Sequence, residues 1–377
     1  MPKYAKEKEI ITKLLAFADI VPGGGRPWDI LVHDDALYGR VLSQGSLGLG
    51  ESYMQGLWDC QALDQFFYRL LGADLNHKIK YNFTLAAHYI KNRFFNLQKK
   101  NKAFDLKHYD IGNKLYSKML DTRLTYTCGY WEKASDLDAA QEAKLELVCQ
   151  KIGLKPGMKV LDIGCGWGSF MKYAAQKYGV SCTGITISQS QMDLGRQMCQ
   201  GLPVEFVLQD YRDLKGEYDA IVSLGMFEHV GPKNYSAYMK VVRSCLKDNG
   251  LFLLHTIGSN SSNPADTSDP WVKKYIFTQG ALPSAKQIAG SVENLFVLED
   301  WHSFGAYYDK TLMAWFRNFE AGWPELKEDY SEIFFRMWKY YLLSCAGAFR
   351  ARSIQLWQIV LSKNGVKGGY KSVRSLI

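Results

Sequence analysis

The chain has 377 residues, 47% of them hydrophobic, 14% aromatic and 22% charged, with 46 Lys and Arg against 38 Asp and Glu for a net charge of +8. That composition can bury a sizeable core, which excludes a largely disordered protein; the positive excess is too mild for a histone-like nucleic-acid binder but is compatible with an anionic surface. The eight cysteines show no paired CxxC spacing and no nearby Cys/His pairs, so neither a zinc site nor a secreted disulfide framework is expected, and free thiols fit a reducing cytosol.

Residues 4–18 alternate Lys and Glu with Ile, Leu and Phe at helical spacing, and Pro22-Gly23-Gly24-Gly25 stops that helix. Charge runs through this stretch, so it does not read as a signal peptide. No window holds 18 apolar residues without charge, so any membrane contact is expected to be peripheral. Trp28–Val32 reads as a short strand, Ala36–Leu42 as a helix, 47–60 as a glycine-punctuated turn region and Leu63–Leu71 as a second apolar-faced helix, together a small α-rich unit ending near residue 75. Residues 76–107 hold eight Lys and Arg against one acid, with Ile79, Phe83, Ala86, Ile90 and Phe94 on one helical face. They read as a basic amphipathic helix and linker, or as a solvated helix packed by that stripe.

From residue 144 strands alternate with helices. Lys159–Ile163, Val180–Ile187, Val204–Leu208, Tyr218–Leu224 and Leu251–Ile257 read as strands; Ser169–Tyr178, Gln189–Cys199 and Tyr235–Leu246 read as the helices between them. The pattern predicts an α/β fold, a doubly wound parallel sheet covered on both faces. Aromatic-rich helices over 306–320 and 326–345 precede a final strand, Ile354–Leu361.

VLDIGCGWG (160–168) is a strand, a glycine-rich turn and a helix. The glycines let backbone approach a ligand, and the helix N-terminus offers free N–H groups. The spacing is GxGxG, not the dinucleotide GxGxxG, and no phosphate-binding Lys follows. Asp162 before the turn would repel a pyrophosphate and could orient an ammonium group, which favours S-adenosylmethionine. The bland alternative is a tight strand–helix turn without a ligand.

With that loop, HYDIGN (108–113), YTCGYW (126–131), QDYRDL (209–214), GMFEHVGPKNY (225–235) and LLHTIG (253–258) occur in one order. On these motifs, and on GSLGLGESYMQGLWDC (45–60), DPWVKKYIFTQGALPS (269–284) and CAGAFRARSIQLWQ (345–358), the chain resembles the cyclopropane-fatty-acyl-phospholipid synthases, relatives of the mycolic-acid cyclopropane synthases. The resemblance implies a class I S-adenosylmethionine-dependent methyltransferase domain over 108–377 behind a small lipid- or membrane-associated domain over 1–75. It implies methylene transfer to a cis double bond in a phospholipid acyl chain. It also implies a homodimer, peripheral contact with the inner face of the membrane from a cytoplasmic location, and no nucleic-acid partner.

The resemblance implies that Tyr126, Thr127, Gly164, Gly166, Thr186, Ile187, Gln191 and Tyr211 lie around the cofactor; Asp162, Cys165, Gly168 and Asp210, inside the same motifs, are candidates with them. Thr186 stands where many methyltransferases carry an acid, a departure that this family shares. The resemblance further implies a bound bicarbonate that removes the last proton, held against Cys128, Glu228, His255, Ile257 and Tyr308, with Cys128 and Ile257 offering mainly backbone groups. Taken singly, Glu228 is also a possible helix-capping carboxylate, His255 a satisfied core histidine, and Thr186 a β-branched strand end. Cys345 is a weak site candidate, with buried packing the plainer role.

Two other readings stand beside this one. A small-amine methyltransferase shares the bicarbonate-type motifs; plant enzymes of that kind are expected to lack the amino-terminal block. A non-catalytic peripheral membrane protein would keep a vestigial cofactor fold.

Overall fold

The computed structural model describes residues 3–73, 112–263, 269–278 and 280–375. In chain order the elements are α1 (Ala5–Ala16), β1 (Leu31–Val32), α2 (Ala36–Gln44), α3 (Ser46–Met54), β2 (Trp58–Asp59), α4 (Leu63–Gly72), α5 (Asn113–Met119), α6 (Leu137–Lys151), β3 (Lys159–Ile163), α7 (Ser169–Tyr178), β4 (Ser181–Thr186), α8 (Gln189–Met198), β5 (Val204–Leu208), β6 (Tyr218–Leu224), α9 (Tyr235–Cys245), β7 (Leu246–Ser259), α10 (Pro270–Tyr275), α11 (Ala285–Val292), β8 (Val297–Ser303), α12 (Ala306–Leu326), α13 (Glu332–Arg350) and β9 (Ile354–Ser362). The basic segment 76–107 lies outside the described residues.

The chain divides into two compact units. The first takes residues 1–112 together with Asp269–Thr278 and Trp315–Ser353; the second takes the rest. The expected boundaries at 75 and 107 therefore do not describe the division, because α10, α13 and part of α12 join the amino-terminal unit. Aromatic packing is the physical reason. Tyr53 and Phe67 on the amino-terminal segment meet Tyr340 of α13, Trp58 and Phe66 pack behind them, and Trp271 of α10 packs 4.4 Å from the Tyr340 ring. Arg336 of α13 donates to Tyr53 O at 2.6 Å and Trp58 O at 3.0 Å, and Arg350 pairs with Asp64 at 2.8 Å.

The glycines of 47–60 do not mark a turn region: Ser46–Met54 is helical and Trp58–Asp59 is a strand. Gly50 is there for close approach, since a Cβ would stand 2.4 Å from the Trp271 ring. The expected strand Trp28–Val32 shrinks to Leu31–Val32, because the Asp29 carboxylate is taken by the amides of Val21 and Arg26 and holds a turn.

The second unit is built on a seven-stranded sheet of order β5-β4-β3-β6-β7-β9-β8. Strands β3 to β7 pair in parallel; β9 runs antiparallel to both β7 and β8. The expected all-parallel sheet is thus mixed at one edge, a common ending for doubly wound folds. β8 had no counterpart in the predicted elements, because Val297–Ser303 interleaves polar and apolar residues without a run. β3 is buried from Val160 to Ile163, as a strand covered on both faces must be. Leu145, Val148, Phe170, Met171 and Val222 fill the core on one face; Tyr238, Met239, Val242, Phe252 and Ile288 fill it on the other. Helix α6, absent from the predicted elements, supplies Leu145 and Val148 and carries two buried lysines.

Candidate active site

The carboxyl ends of β3, β4, β6 and β7 form the edge where open α/β sheets bind ligands. At β3, Gly164 (φ +86°), Gly166 (φ +54°) and Gly168 (φ +82°) are all left-handed. A Cβ would strike Met226 at Gly164 and Phe206 at Gly168, so those two glycines serve packing; at Gly166 it would enter open space. The amides of Gly164 and Cys165 tie the loop to Ile185 O at 3.0 Å. Cys165 is buried, and burial raises its thiol pKa.

Asp162 is buried, its Oδ1 has no hydrogen-bond partner, and burial lifts its carboxyl to about 7. Lys144 of α6 offsets this in part through its charge; burial lowers its own pKa to about 8. Lys144 donates to Thr127 Oγ1 at 2.7 Å, and Gln141 donates to the carbonyls of Thr127 at 2.7 Å and Thr125 at 3.2 Å. Helix α6 therefore shapes the Tyr126–Thr127 segment. Neither Gln141 nor Lys144 was singled out in the sequence, since charged side chains default to the surface.

Thr186 ends β4 and is buried; its Oγ1 accepts from Ser188 N at 3.1 Å and lies 3.5 Å from Gln191 Oε1. Ile187 beside it is 81% exposed, far more than an apolar side chain at a strand end needs to be. Tyr211 packs against Tyr238 with ring centroids 5.1 Å apart. Asp210 is engaged within the chain: it caps the turn through Arg212 N at 2.9 Å and pairs with the Arg212 guanidinium at 2.8 Å, which holds its carboxyl below the usual range.

Beyond β6, Glu228 sits in a short 3-10 turn. Its Oε1 accepts from Ile257 N at 2.6 Å, its Oε2 has no hydrogen-bond partner among the described residues, and burial lifts the carboxyl to about 7. The Ile257 N–H goes to Glu228. His255 lies two residues earlier on β7, 1% exposed, with Nδ1 3.3 Å from Gln358 Nε2 and with Nε2 unpartnered. Burial holds its pKa well below the ordinary value.

Cys128 is fully buried, which raises its thiol pKa and argues against a thiolate. Thr311 of α12 lies 3.8 Å from its Sγ and accepts from Gly129 N at 3.0 Å and Trp131 Nε1 at 2.9 Å. Nothing in the sequence singled out Thr311, because the pairing spans more than 180 residues. Tyr308 is buried near the start of α12, whereas Tyr307 is half-buried against the Tyr130 ring. Cys345 belongs to α13 in the first unit, whereas the other five candidates belong to the second; burial pushes its thiol up to about 12.

The model of the mycolic acid cyclopropane synthetase family matches residues 96–359. The chain belongs to this family. It is 53% identical over 367 residues to the cyclopropane-fatty-acyl-phospholipid synthase of Escherichia coli strain K12, covering 97% of this chain and 95% of that one. A mycolic acid cyclopropane synthase solved with S-adenosylhomocysteine and cetyltrimethylammonium is 31% identical, with a TM-score of 0.64, and covers 68% of this chain and 96% of its own. Coclaurine N-methyltransferase bound to N-methylheliamine and S-adenosylhomocysteine, at 22% identity and a TM-score of 0.66, shares the fold over 83% of this chain and 98% of its own. Coverage that wide takes in residues before Asn113. These relatives place the chain among the S-adenosylmethionine-dependent methyltransferases of class I fold.

Proposed function

We propose that this cyclopropane synthase transfers a methylene unit from S-adenosylmethionine to the cis double bond of unsaturated phospholipid acyl chains, with bicarbonate as the base. One observation carries the reading: two buried polar atoms, Glu228 Oε2 and His255 Nε2, stand at one end of β6–β7 with no partner from the described residues. Native interiors rarely leave such atoms unmatched, so they fit a small polar ligand that can both accept and donate. Asp162 Oδ1 and the open space beside Gly166 fit the cofactor in the same way.

When bound, S-adenosylmethionine supplies an electrophilic methyl sulfonium, and bicarbonate supplies the base for the proton that must leave the new methyl. An alkene needs no activation by a general base, so the chain's first task is to position the double bond and exclude water. The Asp162 carboxylate orients the cofactor's ammonium, and the left-handed loop at Gly166 lets backbone approach it. Methyl transfer leaves a positive charge on the acyl chain. Phe304 lies 6.0 Å from the His255 ring and 5.3 Å from Tyr130, and aromatic faces of this kind stabilise a dry cation by about 1–2 kcal/mol each. As the proton leaves, the C–H electrons close the third side of the ring. Glu228 and His255 hold the anion in place. With its carboxyl lifted to about 7, Glu228 passes the proton on near neutral pH.

Mass spectrometry of phospholipids from a host expressing the chain tests this reading. A gain of one methylene unit on unsaturated species, resistant to hydrogenation, supports it; methylated amines with unchanged acyl chains would replace it. The peripheral membrane contact, the homodimer and the docking role of 76–107 belong to the same proposal. Among the described residues no helix is long and apolar enough to cross a membrane. Co-sedimentation with anionic vesicles at low salt tests the docking segment. Lys91→Glu with Arg93→Glu should weaken binding, since each basic residue near such a surface contributes about 1 kcal/mol.

A further inference from the structure

His255 is part of a polar row that the proposed chemistry does not use. Gln358 of β9 is the register partner of His255 on β7 and of His302 on β8. Side chains of directly paired residues project to the same face, so the three stand abreast across three strands. Lys151, the last residue of α6, lies over this row. Its Nζ is 2.8 Å from Gln358 Oε1 and 2.9 Å from His302 Nδ1. Lys151 and Gln358 are both fully buried, so water cannot substitute for either partner.

The chemistry of the donors then settles the row in sequence. Burial lowers the Lys151 pKa to about 7, and in its protonated form the side chain has N–H donors and no acceptor, so the Gln358 amide turns its oxygen toward Lys151 at 2.8 Å. Its NH2 group is left facing His255 Nδ1 at 3.3 Å. Only an unprotonated ring nitrogen accepts that hydrogen, and a neutral imidazole carries one ring N–H. The hydrogen therefore sits on Nε2, the atom with no partner among the described residues.

We propose that Lys151 and Gln358 are positioning residues that hold His255 as its Nε2–H tautomer, so that the ring presents a hydrogen-bond donor to the site. His255 then steadies an anion oxygen and removes no proton itself, and Glu228 is left as the protein group that moves the proton. The burial that keeps the His255 ring neutral supports this division. The inference rests on the reading of His255 as a residue of the anion site, but the tautomer can be measured without turnover.

The experiment uses the full chain labelled with 15N-histidine. It records long-range 1H–15N correlations, and His255 is assigned among the seven histidines by its loss in His255→Gln. The expected spectrum shows Nδ1 unprotonated and Nε2 protonated. In Gln358→Glu a carboxylate faces Nδ1, so the tautomer should reverse, and kcat should fall by at least about tenfold with KM for S-adenosylmethionine unchanged. In Lys151→Met the amide is free to turn, and both tautomers should appear. A protonated Nδ1 in the wild type, or an unchanged tautomer in Gln358→Glu, would overturn the proposal. Reversal with full turnover would instead overturn the role given to His255 in the anion site, and its donor function with it.

Discussion

The two sides of the proposed site, one for the cofactor and one for the anion, are built by different means. On the cofactor side, from β3 to β5, backbone shape does the work: left-handed glycines, a strand end, a short cap at Asp210. On the anion side, from β6 to β8, buried polar side chains do it: Glu228, His255, Gln358, Lys151 and Thr311. Backbone shape tolerates changes in side chains and fails when space is filled. A buried polar network fails when one member is removed, because the partner left behind has no water to turn to.

Glu228→Gln should have the largest effect, because it strikes the network where the proton moves. Turnover should drop by ~10²-fold or more while S-adenosylmethionine affinity, read by calorimetry, stays as it was. Equal losses in both would merge the two sides into one. The same variant has a pH signature in stability. The folded pKa of Glu228 is raised to about 7 from an unfolded value of about 4.3, so the fold binds its proton more tightly than the unfolded chain. Its contribution to stability is therefore complete below pH ~4.3 and is lost as pH rises toward 7, by roughly 4 kcal/mol at most. Denaturant titrations between those limits should show a shallower decline in Glu228→Gln than in wild type.

Gly166→Asp tests the cofactor side. Asp tolerates left-handed backbone better than most residues, and a Cβ at this position meets nothing among the described residues within 4 Å. The fold should survive, while S-adenosylmethionine binding should weaken by about tenfold or more, which isothermal calorimetry measures. Retained affinity would remove this loop from the site.

Smaller effects sharpen the contrast. Thr311→Val strands two buried donors, Gly129 N and Trp131 Nε1, and should cost about 1–3 kcal/mol in chemical denaturation. Asp210→Ala should matter least. Its carboxylate serves Arg212 and a turn, so the loss should be about 1 kcal/mol of stability, with cofactor affinity changed less than tenfold. A larger drop in affinity would return Asp210 to the cofactor.

Much of the fold was legible because local signals agreed with burial. β3, β5, β6 and α7 fall at their expected bounds, since short apolar runs between turn residues leave little choice of element. Where two local signals conflicted, tertiary packing decided. Gly48 and Gly50 resemble turn punctuation, yet α3 is helical because the Trp271 ring needs the space that a side chain at Gly50 would take. The candidate residues Glu228, His255 and Asp162 were legible as polar residues at strand ends, through the motifs that hold them. Their positioning partners were not. Lys144 and Lys151 look like ordinary helix-surface charges.

By itself, the sequence determined the alternation of strands and helices from β3 to β7, the glycine loop with its preceding acid, and the family, because those depend on residues close together in the chain. Only the tertiary structure decided that β9 returns between β7 and β8, that two distant segments join the amino-terminal unit, and which way the Gln358 amide faces. Each depends on groups more than fifty residues apart that burial forces together. Once water is excluded, an unmatched donor or acceptor costs more than the contact that satisfies it, and that cost selects one arrangement.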